Sequence, residues 1–454
     1  MTILPEPWRG KDFNLDSSGV AGFFGGEEAI SAMTTVHLYR GRKWLGWYNS
    51  PGGYTVAKCY GRLAKGSLWT GLYPGSKLDP VELFGLGGKN SPKFVAAHSG
   101  TILQETSHLA YLLLKMCEGL EAEKGDAGKR LTTPSGVTVV HLEEPKELHS
   151  SDPADTVPPI LRPAIPRASV LLTSLIPIGF TFAACVLSAL VRDWYAFSMI
   201  LLGAVANGFT CLVLGSGTLT VKRVKPAPDV PKGDGLLETK KELVILLGPE
   251  SAVAQVTRGS FGLEFPSISA PNYHDVGICC VLLTSQFLVQ LLLIPQAGLF
   301  GQTMFLVSFA VSWLYNAYLS SFDKEEMQRE VLFTKKVLNI SGEPSRYMFG
   351  TRTSLAVFVT FALQPKDPLN MLNHLIPNDT EIWNAFKKGI AKQIDFQGED
   401  LLLDLDRFKS GGDVSLVGHM RGDAQHAYNT YRKYLTCREE ETASLRMQKQ
   451  KQEV

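Results

Sequence analysis

From Ala168 to Val191 the chain runs for 24 residues without one Asp, Glu, Lys, Arg or His. Arg192 and Asp193 then arrive together, and Trp194 follows. Three more stretches repeat the pattern: 194–215, 276–295 and 297–320. A hydrocarbon core about 30 Å thick needs roughly 20 apolar residues at about 1.5 Å each. Every one of these stretches is long enough. A core helix of a soluble protein keeps a polar stripe where one side meets water. None of these four carries such a stripe of ionisable groups, so the pattern predicts four membrane spans.

The spans form two hairpins. The first turns at Arg192-Asp193 and the second around Pro295-Gln296. Trp194, Tyr195, Trp313, Tyr315 and Tyr318 lie near span ends, where amphipathic rings favour the interface. Gly203, Ala204, Ala206 and Gly208 predict close helix contact. Cations gather on the outer flanks: Arg162 and Arg167 before the first span, Lys222, Arg223 and Lys225 after the second, and Lys324 and Arg329 after the fourth. By the positive-inside rule both termini and the 216–275 loop are cytosolic. The first residues lack the cationic start and apolar run of a secretory signal. The expected fold class is membrane α-helical, four transmembrane helices in two hairpins, with cytosolic α+β portions.

Six segments follow from the pattern. Residues 1–143 read as a cytosolic Gly/aromatic-rich α+β domain. In it "GYTVAKCYGRL" and "SLWTGLY" are β-prone, 101–125 keeps the spacing of an amphipathic helix, and "GVTVVHL" is a strand. Residues 144–167 hold six prolines and read as a linker. The first hairpin is 168–215. The loop 216–275 reads as β-rich, with strands in "GTLTVKRVK", "KELVILLG" and "AVAQVT". The second hairpin is 276–320. The tail 321–454 starts with a charged helix that continues the fourth span. It then has "TSLAVFVTFAL" as a buried strand or core helix, a helix capped by Asn378 with Glu381 three residues on, and a closing polar helix.

Charge changes the picture only locally. Lys plus Arg is 45 and Asp plus Glu is 44, so no global bias toward nucleic acid exists. Residues 29–78, however, contain no Asp or Glu. There Arg40, Arg42, Lys43, Lys58, Arg62 and Lys65 are interleaved with Trp44 and Trp47. Such a mixture suits phosphates and stacking on nucleic acid. It equally suits an anionic membrane surface, where each basic side chain is worth about 1 kcal/mol. In a chain tethered to a bilayer, lipid headgroups are the favoured partner and nucleic acid is not. The plainer reading is a domain with an aromatic core and solvated cations.

Candidate chemistry is sparse. "FGLGGKNSP" has Leu83 and Asn90 where a phosphate loop needs Gly and Ser or Thr, so it reads as a Gly-rich turn. Asp404 and Asp406 form a D-x-D that can share a cation with sugar-nucleotide phosphates, but Asp400 and Asp404 also fit the wet face of a helix. The histidines show no metal-ligand spacing, and the seven cysteines form no disulfide framework. No cofactor is indicated. Within the spans, Gln286 and Gln290 share one helix face, and Asn207 and Asn316 join them as intramembrane polar contacts between helices.

The sequence thus points to a multi-pass integral membrane protein, a non-catalytic scaffold or regulator presenting cytosolic domains at a membrane surface. Its expected partners are the lipid bilayer, anionic headgroups, and other proteins or further copies of itself. The runner-up is a transporter or channel subunit acting as a homo-oligomer, with Gln286 and Gln290 along the pathway. The third reading is a membrane-bound lipid or glycosyl transferase using Asp404 and Asp406.

Overall fold

The computed structural model describes residues 26–122, 130–144, 160–161, 168–222, 224, 226–239, 242–265, 272–334, 338–394, 398, 400–405, 408 and 414–452. The chain opens with α1 (Glu27–Leu38), a 3-10 turn at Arg42–Trp44, α2 (Gly53–Tyr60), α3 (Ser67–Leu72) and α4 (Pro80–Leu83). Strands β1 (Lys93–Ala96) and β2 (Ile102–Leu103) precede α5 (His108–Glu118), β3 (Ser135–His141) and β4 (Ile160–Leu161). Then come α6 (Ala168–Val191), α7 (Trp194–Leu214), β5 (Thr218–Lys222), β6 (Gly235–Glu238), β7 (Glu242–Leu247), α8 (Glu250–Arg258) and β8 (Ser260–Glu264). The last stretch holds α9 (His274–Leu293), α10 (Leu299–Ser320), α11 (Lys324–Thr334), β9 (Ser345–Phe349), α12 (Arg352–Leu363), α13 (Pro368–Leu375), α14 (Glu381–Ala391) and α15 (Val414–Gln452).

These elements sort into two compact units. One is drawn from Met1–Gly88, Pro158–Lys222 and Phe261–Lys335, the other from Lys89–Val157, Arg223–Ser260 and Lys336–Val454. This partition differs from the expected one. Residues 26–88 do not fold with 89–143 but pack on the long apolar helices. The expected strands in "GYTVAKCYGRL" and "SLWTGLY" are α2 and α3. In α2 the buried residues Val56, Ala57 and Tyr60 fall on one helical face, which lies on α9.

In the first unit, α6, α7 and α9 are long and apolar enough to cross a membrane. A fourth such span exists if α10 and α11, bent by 55° at their junction, are one broken span. The bend replaces the straight continuation expected from the sequence. Each hairpin turn has a local cause. Arg192 adopts a left-handed φ of 66°, and Asp193 caps α7 by accepting from the Ala196 amide at 3.1 Å. Asp193 also accepts from the Gly298 amide at 2.8 Å, which ties the two turns together.

The amphipathicity of this bundle is inverted. On α6 the buried positions Ser174, Thr181, Ala184 and Ser188 recur at helical spacing, while Phe182 is 72% exposed. Leu172, Ile278, Leu292 and Leu314 are likewise exposed. Gln286, Gln290, Ser308, Ser312 and Asn316 are buried. In water this arrangement would forfeit about 25 cal/mol for every Å² of apolar surface left outside. Surrounded by hydrocarbon, it hides the groups that need partners and exposes those that do not. A smaller sheet, β4-β5-β8, belongs to the same unit.

The second unit is built on a six-stranded sheet of order β2-β1-β6-β7-β3-β9. Strands β3 and β7 are parallel, with Val137 opposite Leu243 and Val139 opposite Ile245. The other pairings are antiparallel. Both central strands are near-continuous apolar runs because both faces are covered. Helix α12 packs on β3, β7 and β9, while α5 contacts β7 and pairs with α8. The three polar segments expected as separate portions therefore supply strands to one sheet. The residues between β3 and β7, which include the α6–α7 hairpin, are the crossover that a parallel pair requires.

Several local expectations change. "AVAQVT" lies in helix α8 rather than a strand, since Pro249 suits a helix start and alanine favours its interior. Of 101–125, Ile102 and Leu103 pair with β1, and the helix runs only from His108 to Glu118. Thr380, not Asn378, occupies the N-cap before Glu381. "TSLAVFVTFAL" is the buried helix α12. Of the proline-rich linker 144–167, all but residues 144 and 160–161 lie outside the described residues.

Candidate functional site

The acid-free stretch is a helix-loop-helix inserted among the apolar helices. Helix α1 lies on α10, and α2 lies on α9. At 12 and 8 residues they are half the length a span requires. The loop between them turns at Gly41 and Gly52, whose φ angles of 83° and 81° favour glycine. Room for the loop comes from small residues on α7. A Cβ at Gly203 would collide with Asn49, and one at Gly208 with the Trp47 ring. Of the small residues expected to bring helices together, Gly203 and Gly208 admit this loop, and Gly203 also lies against Gln290 of α9.

The loop engages several of the polar residues on the apolar helices. Asn207 donates to the Gly46 carbonyl at 2.7 Å. The Tyr48 hydroxyl donates to Asn316 Oδ1 at 2.9 Å, and Asn316 Nδ2 donates to Ser50 Oγ at 3.0 Å. Asn49 Nδ2 donates to Ser308 Oγ at 2.9 Å, and the Asn49 amide donates to Thr181 Oγ1 at 3.1 Å. Gln290 Nε2 donates to Asn49 Oδ1 at 3.3 Å and to the Met199 carbonyl at 2.9 Å. Gln286 donates to Gln290 Oε1 at 3.1 Å. So Asn207 and Asn316 bond to the loop, while Gln290 bonds both to the loop and, through the Met199 carbonyl, from α9 to α7. Tyr48, Asn49 and Ser50 were missed in the sequence. The signal was available: "NSPGG" opens a helix directly after a dense aromatic run.

The basic and aromatic residues scatter over this insertion. Arg40, Trp44 and Lys58 are exposed, and Lys43 is half-buried. Trp47 wedges against Gly208 and meets Phe209 edge-on at 5.6 Å. Arg42 departs from the expected headgroup role, because it is 2% exposed and enclosed by the bundle. Its Nη2 donates to the Tyr48 hydroxyl at 3.1 Å, and its guanidinium carbon sits 5.5 Å from the Tyr315 ring centre.

Arg62 and Lys65 do converge. With Lys77 and Lys222 they line a groove of about 720 Å³ that also contains Asp79 and Glu264. The groove lies where the chain leaves α7 through β5 and enters α9 through Tyr273, at one end of the apolar helices. Lys65 is placed by its amide, which donates to the Asn272 carbonyl at 2.9 Å. Its ammonium stands 5.6 Å above the Tyr273 ring. Lys222 pairs with Asp79 at 3.2 Å in a half-exposed setting that contributes little stability. Arg62 Nε is buried and has no hydrogen-bond partner. Four cations against two carboxylates, with one guanidinium nitrogen unspent, suit a phosphate group.

The second unit has a cleft of about 660 Å³ at the carboxyl ends of β3 and β7, the place where open α/β sheets take ligands. His98 Nε2 is 3.1 Å from Asp234 Oδ2, while Asp234 Oδ1 accepts from the Gly248 amide at 2.7 Å. His141 Nε2 lies 2.9 Å from the Tyr434 hydroxyl. Burial, reinforced by Arg438 and opposed by Asp234, pulls the His141 pKa down to about 4. The native state therefore holds His141 neutral where the unfolded chain protonates it. The resulting stability is complete above about pH 6.5 and is lost as pH falls toward 4. For this partly exposed ring the loss is about 2 kcal/mol. Thermal midpoints followed from neutral to acid pH are expected to fall less steeply for His141→Phe than for the wild type. Equal slopes would assign the acid sensitivity to other groups.

Among the described residues no group of three or more His, Cys, Asp and Glu side chains is placed to hold a metal. Asp404 is described and Asp406 lies outside the described residues, so the D-x-D pair has no observed geometry. No family model matches the chain, and neither a curated protein nor a solved structure matches it.

Proposed function

We propose that the chain is a multi-pass integral membrane protein, with four spans in two hairpins and both termini in the cytosol. In this reading it presents its mixed-sheet unit at a membrane surface and holds anionic lipid headgroups in the groove of Arg62, Lys65, Lys77 and Lys222. The observation that carries the proposal is the position of that groove, at the end of the apolar bundle where lipid phosphates lie. The 216–275 loop leaves the bundle at this end, so the leaflet concerned is the cytosolic one, where anionic lipids concentrate. The role is that of a scaffold or regulator whose arrangement responds to headgroup charge. The transporter alternative has less support. Gln286 Nε2 and the amide of Gln290 are spent on each other, on Asn49 and on the Met199 carbonyl, and the buried Gln286 Oε1 is left without a partner.

The full chain in nanodiscs of phosphatidylcholine, with and without phosphatidylserine or a phosphoinositide, tests the idea. Anionic lipid is expected to raise the thermal midpoint of the wild type. Lys65→Glu with Lys77→Glu is expected to weaken the apparent lipid affinity by roughly 30-fold, given about 1 kcal/mol per basic side chain. A midpoint indifferent to headgroup charge, or an unchanged response in the double variant, would remove the headgroup role.

A further inference from the structure

Arg42 is a charged group in the wrong place for a surface residue. It is 2% exposed, its guanidinium stays protonated in any protein setting, and no carboxylate among the described residues is paired with it. Nη2 donates to the Tyr48 hydroxyl and the Cys211 thiol lies beside the guanidinium, while Nε and Nη1 have no oxygen or nitrogen partner. A buried charge without a counter-charge is among the most costly features a fold can carry.

Beside it lies a small cavity that Arg42 lines together with Ser50, Gly53, Asn207 and Asn316. Gly53 is the first residue of α2, and the N-cap Gly52 offers no side chain to its free amides. The positive pole of α2 therefore faces the same space as the guanidinium. Asn207 and Asn316 each keep a second amide hydrogen beyond the one already donated. Arg42, the start of α2 and the two amide groups favour negative charge there, and the one opposing feature beside Gly53 is the buried Gln286 Oε1, 3.4 Å from where a Cβ on Gly53 would stand. Its open volume of about 10 Å³ suits one occupant of water size. A halide fits if the flexible Met33 and Leu283 side chains in its wall give slightly. A phosphate or a carboxylate does not fit.

We propose that this cavity binds one small monovalent anion, chloride under cellular conditions. The anion accepts hydrogen bonds from Nε and Nη1 of Arg42 and neutralises its charge. It thereby locks the inserted loop between α1 and α2 into the bundle. This role is independent of the headgroup groove.

The full chain, purified in a nonionic detergent, is exchanged into sodium gluconate and titrated with sodium chloride or sodium bromide at constant ionic strength. The thermal midpoint is expected to rise saturably, by roughly 5 °C, with either halide. It should not rise with sulfate. Arg42→Gln removes the charge and is expected to abolish the halide response while melting in gluconate at or above the wild-type midpoint. Lys65→Glu should keep the full response. A wild-type midpoint independent of halide overturns the proposal and leaves water as the occupant, whether or not the variant folds. A halide response that survives Arg42→Gln places the anion elsewhere and overturns it equally. Bromide anomalous density beside Arg42 would support the site directly.

Discussion

Phe182→Asp is expected to drive the chain out of the membrane fraction rather than to make it more soluble. Phe182 stands near the middle of α6 and is 72% exposed, so little protein contact is lost by the change. If water surrounded this face, replacing an exposed phenyl ring by a carboxylate would be neutral or favourable. In hydrocarbon an aspartate at a helix centre costs roughly 2.5–3.5 kcal/mol of insertion free energy. Leu288 on α9 is also exposed, so Leu288→Asp adds a second cost of the same size on the other hairpin. The two together amount to about 6 kcal/mol, enough to abolish stable insertion. The measurement is the share of chain that resists alkaline extraction from membranes. Leu402→Asp, at an exposed leucine of the second unit, serves as the control and should be retained like the wild type. A doubly charged variant that stays in the membrane, or a wild type that never enters it, would end the membrane reading.

Gly203→Ala is expected to be the most damaging single methyl addition in the bundle. The new Cβ would occupy the place of Asn49 Oδ1 and come within 2.9 Å of Gln290 Nε2. Asn49 would have to leave and its buried amide would lose its bonds to Ser308 and Gln290, which keep their bonds to the Phe305 and Met199 carbonyls. Overpacking costs about 1–3 kcal/mol, and buried groups left without partners add to it, so a total of about 3 kcal/mol is expected. In the detergent-solubilised chain this corresponds to a fall of roughly 6–12 °C in thermal midpoint. Gly179→Ala is the matched control, because nothing lies within 4 Å of a Cβ there. It should be neutral or slightly stabilising through helix propensity. The double variant Gly203→Ala with Asn49→Ala should lose less than the sum of its parts, since both act on one contact. Strict additivity would mean that Gly203 does not make room for the loop.

Both experiments probe features of unequal visibility in the sequence. The four apolar runs showed where long helices form, because exclusion of charge over about 20 residues has few causes. Helices α6, α7, α9 and α10 start and stop close to the expected residues. Strands β3 and β7 were also legible as β-branched and leucine-rich runs. Nothing local said that they would pair with each other across a whole hairpin. The segment 26–63 was misread for a physical reason. Two helices of 12 and 8 residues are too short to stand out beside runs of span length. Their glycine, aromatic and basic composition describes a small surface domain equally well. Arg42 looks like any solvated arginine until Tyr48, Tyr315 and the α2 terminus close over it. The pairing of Arg62 and Lys65 with Lys77 and Lys222 was equally hidden, since Lys222 follows α7 by eight residues and the others precede the first hairpin by more than eighty.

By itself the sequence determined which stretches are long, apolar and uncharged enough to form span-length helices, and that they come in two close pairs. That information is local, carried by the transfer free energy of consecutive side chains. Only the tertiary structure decided what the polar residues inside those helices are for. An asparagine or glutamine in an apolar run demands a hydrogen-bond partner but does not name it. Here the partners come from a loop some 150 to 270 residues away in the chain, at Gly46, Tyr48, Asn49 and Ser50.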